Sequence, residues 1–182
     1  MATPETNPEA LLRFWFDDHA KDWFVKNPAF DAEIRSHFLA VHEAAAAGQL
    51  VSWSEAPRGA LALAIALDQF PRNMFRGEAR AFATDAQARA TARIILQRGW
   101  DQQMAQPEQL FAYLPFEHSE SPADQDLSCR LMKGFDPEQY RYAERHRELI
   151  ERFGRFPHRN DILGRQSTPA EIEFLKLPGS GF

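Results

Sequence analysis

Apolar residues return at helical spacing along almost the whole chain, while alternating β-branched runs are nearly absent. Leu11, Leu12, Trp15 and Phe16 mark a first helix over residues 8–16. A second opens at Asn27-Pro28, a polar cap followed by proline at the first helical position, and stops at Gly48. It carries Phe30, Ile34, Phe38 and Val41 on one side. Pro57 opens a third helix that is apolar all round from Leu61 to Leu67 and is expected to finish near Asp68. Thr84 or Asp85 caps a fourth, with Ala88, Ala92, Ile95 and Leu96 as its stripe and Gly99 as its stop. Pro107 starts a short fifth through Leu110, Phe111 and Leu114 that Pro115 breaks or kinks. Ser121-Pro122, Asp136-Pro137 and Thr168-Pro169 open three more, and Gly134 and Gly154 close the first two of these. The pattern reads as an all-α chain of about eight helices, one domain over residues 1–182, with antiparallel neighbours joined by short turns.

One phrase recurs at two of these helix ends. Leu67-Asp68-Gln69-Phe70-Pro71-Arg72-Asn73 closes the third helix, and Phe153-Gly154-Arg155-Phe156-Pro157-His158-Arg159-Asn160 closes the seventh. Proline lacks an N–H and disfavours the helical region for the residue before it, so Phe70 and Phe156 are expected as buried anchors before fixed turns. Each turn then presents guanidinium and amide groups, which suit either an anion site or a clamp between helices.

Composition narrows the field without naming a chemistry. Four Trp, fifteen Phe and 44% hydrophobic content describe a chain that folds around a sizeable core. A net charge of −5 argues against a nucleic-acid coat. The single cysteine, Cys129, has no internal disulfide partner and no thiolate set for zinc. The first residues lack a signal-peptide pattern and no apolar run is long enough to span a membrane, so a soluble, cytoplasmic protein is expected.

Asp68 is the sharpest single candidate. A carboxylate at the end of so apolar a helix loses solvation and needs a cation, and Arg72, Arg76, Arg155 and Arg159 are the candidates. A second cluster is Tyr113-Leu114-Pro115-Phe116-Glu117-His118-Ser119-Glu120, followed by Gln125. Between Arg98 and Arg130 there is no Lys or Arg but six acids, whereas seven arginines fall from Arg141 to Arg165, so the acidic middle is expected to pair with the basic C-terminal third. His118 and Glu120 could bind a metal with His146 or His158, but no metal-binding spacing supports it, which favours His118 as a hydrogen-bonded or acid–base residue. Arg155, His158, Arg159, Asn160 and Arg165 form a third cluster, balanced by acids, by an anionic ligand, or by both. No nucleophile elbow or phosphate loop is present. The aromatic stripe Phe14, Trp15, Phe16, Trp23 and Phe24 reads as core.

At these same residues the chain resembles a bacterial domain-of-unknown-function family grouped with tetratricopeptide-like (TPR-like) helical proteins. The shared stretches are Phe14-Trp15-Phe16, Trp53 with Pro57-Arg58-Gly59, Leu67 to Asn73, Tyr113 to Glu120, Phe153 to Asn160, and Leu163-Gly164-Arg165. The resemblance implies a compact TPR-like α-α superhelix, an apolar residue where Glu117 stands, and no particular reaction.

Two functional readings follow, and the sequence does not decide whether either involves catalysis. In the first, Asp68, Arg72, Asn73, His118, Glu120, Arg155, His158, Arg159 and Asn160 line a polar pocket for a small anionic ligand, with no metal or other cofactor, nucleic acid or membrane involved. In the second, the chain is a TPR-like module for protein partners and its polar motifs are internal clamps. Exposed, unpaired arginines favour the first; buried, paired ones favour the second.

Overall fold

The computed structural model describes residues 7–181. Among these the α-helices are α1 (Pro8–Arg13), α2 (Pro28–Ala46), α3 (Pro57–Met74), α4 (Asp85–Gln97), α5 (Gln106–Glu117), α6 (Pro122–Met132), α7 (Pro137–Phe153) and α8 (Pro169–Leu175), joined by short 3-10 and π turns, with no strand. They fall into two compact units, residues 7–76 with 80–115 and residues 77–79 with 116–181, and the boundary lies inside α5.

The first unit is organised around α3. Every residue from Gly59 to Pro71 is buried, and α1, α2, α4 and the turn Val51–Glu55 pack around it. Alternating Ala and Leu let neighbours approach closely. The approach is tightest at Gly59, where a Cβ would overlap the Trp53 carbonyl oxygen. Trp15 sits fully buried with its ring edge-on to Phe70 and Phe111, at centroid separations of 5.6 and 5.3 Å. Burying each such ring stabilises the fold by about 1.5–3 kcal/mol.

Three local expectations change here. The first helix is shorter than its pattern, because α1 gives way to a π turn, Phe14–Asp18, that rotates the aromatic stripe. Phe14 and Trp15 are core, but Phe24 is 62% exposed, since it lies beyond the turn and only one ring face stacks on Phe111. Most importantly, Pro71 does not end α3, which continues to Met74, so Asp68 is not at the helix end. A proline inside a helix removes one N–H and crowds the carbonyl four residues back. The carbonyls around that defect are taken by side chains instead. His42 Nδ1–H donates to Ala66 O at 2.9 Å, Thr84 Oγ1 to Leu67 O at 2.6 Å, and Arg72 Nη1 to Asp68 O at 2.7 Å. Pro115 is likewise carried inside α5, which runs on to Glu117.

The second unit pairs α6 with α7 and closes over Leu149, Ile150 and Phe156, with Phe153 and Phe174 at the margin. Here the expected stop is real. Gly154 caps α7 at φ 70°, a left-handed conformation that glycine adopts without a Cβ penalty. Phe156 is then extended and fully buried, and Pro157 opens the 3-10 turn Pro157–Arg159. The same Phe-Pro pair therefore lies within a helix once and ends an extended turn the second time. Thr168 and Glu171 form a reciprocal capping box that starts α8.

Candidate functional site

The nine residues expected to line one pocket fall into the two units, three in the first and six in the second.

In the first unit, Asp68 is buried at 1% exposure and Arg72 is its cation. Arg72 Nη1 lies 3.3 Å from Asp68 Oδ1, and the guanidinium also grips Asp85 bidentately at 2.8 and 3.0 Å. Burial opposes the Arg72 charge, but Asp68 and Asp85 more than offset it and raise its pKa. Gln69 Nε2 donates to Asp68 Oδ2 at 2.6 Å. Asn73 Nδ2 donates to Asp31, which also holds Arg76 through two bonds. Sequence reasoning named Arg72 among the candidates but missed Asp85, because a residue expected to cap α4 serves instead as a carboxylate partner. Thr84 stands at the cap position, yet its hydroxyl goes to Leu67 rather than to its own helix.

In the second unit, two of the expected arginines are also tied to carboxylates. Arg155 makes a fork to Glu171 at 2.7 and 2.8 Å and a further bond to Gln166 O. That fork, with the Thr168 N–H and Asn160 amide, holds the Glu171 carboxyl down at about 2. Arg165 makes a second fork to Glu120 at 2.7 and 2.9 Å. Glu120 also accepts from the Phe156 N–H at 2.8 Å, so it joins the end of α5 to the Phe-Pro turn. Burial works against the Glu120 charge, but Arg165 and the Phe156 N–H outweigh it and keep its pKa low. Asn160 is buried and donates to Ser167 Oγ at 3.0 Å, a turn-stabilising role. The acidic middle does meet the basic third at Glu120–Arg165, but Arg155 finds its acid in α8, which the charge-block argument did not consider.

Arg159 and His158 lie against the Phe156 ring, as does His146, and His118 lies beside His146. The Arg159 guanidinium, in a residue 6% exposed, lies 4.5 Å from that ring's centroid. His158 lies 5.7 Å and His146 5.5 Å from it, and the His118 ring is 6.4 Å from His146. His146 was not singled out in the sequence beyond a passing role as a metal ligand, because it occurs on a strongly polar helix with no motif around it. It is buried on α7, with Nδ1 2.8 Å from the Tyr142 carbonyl and 3.3 Å from Glu117 Oε1. A carbonyl can only accept, so Nδ1 carries the proton and Nε2 has the lone pair. Burial, reinforced by nearby His118, Arg159 and His158, pushes the His146 imidazole down to about 3, so it is neutral at physiological pH. Among the described residues no group of His, Cys, Asp and Glu has the arrangement of a metal site. No described helix is long and apolar enough to cross a membrane.

Similarity to other proteins covers nearly all of the chain. Residues 11–179 match the family described as bacterial protein of unknown function (DUF924). A solved structure of a protein of unknown function, ATU0120 from Agrobacterium tumefaciens, is 43% identical. The similarity covers 93% of this chain and 96% of that one, with a TM-score of 0.90. No curated protein matches the chain. The chain belongs to the DUF924 family.

Proposed function

We propose that the second unit binds a small oxyanion, a phosphate or carboxylate group, through Arg159, His118 and His158, with neutral His146 beside them. One observation carries this reading: the His146 and His158 rings and the Arg159 guanidinium lie against the buried ring of Phe156, and the His118 ring lies beside His146. A guanidinium and imidazole N–H groups gathered in one place can give an oxyanion charge-assisted hydrogen bonds. Arg155 and Arg165 frame the site by fastening the segments on either side, and are not themselves expected to touch ligand. Asp68, Arg72 and Asn73 act in the first unit as an internal clamp, so the ligand-binding set contracts to the second unit.

The forks of Arg72 and Arg155 also support a second reading, a TPR-like protein-interaction module in which the polar motifs are structural. Thermal unfolding in increasing inorganic phosphate, with sodium chloride at matched ionic strength as control, separates the two. The oxyanion reading expects a saturable rise in melting temperature with phosphate alone. Arg159→Gln and His158→Ala abolish that rise. A flat response in the wild-type protein, or one unchanged in both variants, leaves the interaction module as the better reading.

A further inference from the structure

One side chain bonds the short segment that carries His118 on both sides of that residue. Gln125, on α6 and fully buried, donates through Nε2 to the carbonyl of Glu117 at 2.7 Å and to that of Ser119 at 2.6 Å. These are the carbonyls of the residues on either side of His118. The far side of the segment is fixed from the same helix turn. Ser119 Oγ donates to Asp124 Oδ2 at 2.8 Å and accepts from the Ser121 N–H at 3.2 Å. With both of these carbonyls held, the backbone through His118 is constrained from α6.

The other end of the same amide is unsatisfied. Gln125 Oε1 is buried with no hydrogen-bond partner among the described residues, and so is Ser128 Oγ one turn further along α6. Buried polar atoms are nearly always paired, and an unpaired one costs stability. An apolar side chain would fill the space without that penalty. What a glutamine supplies here, and an apolar residue cannot, is a two-pronged donor that sets the backbone around His118.

The geometry points to Gln125 as the positioning residue of the oxyanion site, aligning His118 through the main chain without touching ligand. This rests on the reading of that site given above. Positioning groups of this kind act by locking the rotamer and backbone of the residue that does the binding.

Two variants test it. Gln125→Met fills the volume and removes both donors. Gln125→Glu keeps the shape but opposes both carbonyls when ionised and donates to one of them when protonated. The readouts are the His118 ring resonances by NMR and the phosphate concentration at half-maximal thermal stabilisation. In Gln125→Met the His118 signals shift or broaden and the phosphate midpoint rises about tenfold, the scale on which loss of an orienting partner weakens a site. In Gln125→Glu the same change appears at pH 8, and at pH 5, with one of the two bonds regained, the His118 signals move back towards those of the wild type at that pH. If both variants melt earlier yet keep wild-type His118 signals and phosphate midpoint, Gln125 is only a helix-end cap and the inference is overturned. His118→Asn separates this from failure of the oxyanion reading. If phosphate still stabilises that variant as in the wild type, His118 is not a ligand-binding group, while its ring signals in Gln125→Met still report whether Gln125 aligns it. Should Gln125→Met not fold, the pH-dependent recovery in Gln125→Glu decides the matter alone.

Discussion

Thr84 Oγ1 donates to the carbonyl of Leu67 at 2.6 Å, and that carbonyl is the one that Pro71 leaves without its helical N–H. The hydroxyl of one helix start thus repairs a proline in the middle of another. Thr84→Val keeps the shape and removes the donor, and is expected to cost about 1–3 kcal/mol, the penalty for an unsatisfied buried group. Thr84→Ser should retain most of the stability. Pro71→Ala restores the N–H, so in a double-mutant cycle measured by denaturant unfolding the Thr84→Val loss should shrink in the Pro71→Ala background.

Arg72 serves two carboxylates at once. Arg72→Ala strands Asp68 and Asp85 in a largely buried setting and is expected to destabilise by about 3–5 kcal/mol. Arg72→Lys keeps the charge but loses the fork, and should recover only part of the difference. A midpoint for Arg72→Ala equal to wild type in chemical denaturation would remove the clamp from the account of the first unit.

The close approach at Gly59 predicts a sharp contrast between glycines. Gly59→Ala forces its methyl into the Trp53 carbonyl and should cost about 1–3 kcal/mol, as over-packing does. At Gly134 a Cβ meets nothing within 4 Å, so Gly134→Ala should be neutral or slightly stabilising. Thermal midpoints of the two variants, measured side by side, check the contrast.

Acid should weaken the second unit in two windows. His146 has a folded pKa of about 3, below its ordinary 6.5, so the unfolded chain binds the extra proton first and stability falls as pH drops below about 6.5 towards 3. Glu171 has a folded pKa of about 2 against an ordinary 4.5, so its contribution is complete above about 4.5 and is lost as pH falls through about 2. Unfolding monitored from pH 7 to pH 2 should show both slopes. The steeper acid limb should flatten in Glu171→Gln, and the His146 ring should keep its neutral Nδ1–H form by NMR at pH 5.

The helices were legible because their starts and stops are chemical: Asn27-Pro28, Asp136-Pro137 and Thr168-Pro169 each appear at a helix start, and Gly154 at a helix end. One reading failed for a physical reason. At Pro71 a local rule was overridden by a group distant in sequence, and no local pattern reports that Thr84 will satisfy Leu67. The site was legible in part for the same reason. His118, His158 and Arg159 stood out because they cluster in motifs, whereas Asp85, Glu171 and His146 acquire their roles only when α4, α8 and α7 arrive beside their partners.

The burial of α3 on all sides has a consequence for synthesis. Its cover in the first unit includes α4, together with the Thr84 and Asp85 groups that complete its polar atoms, and all of these are made after it. At ribosomal rates of about 5–20 residues per second, the stretch from the end of α3 to the end of α4 takes about 1–5 s to appear. During that interval the nascent chain presents its most apolar segment without α4. Holding chaperones should therefore engage this protein at that length more strongly than at any later one.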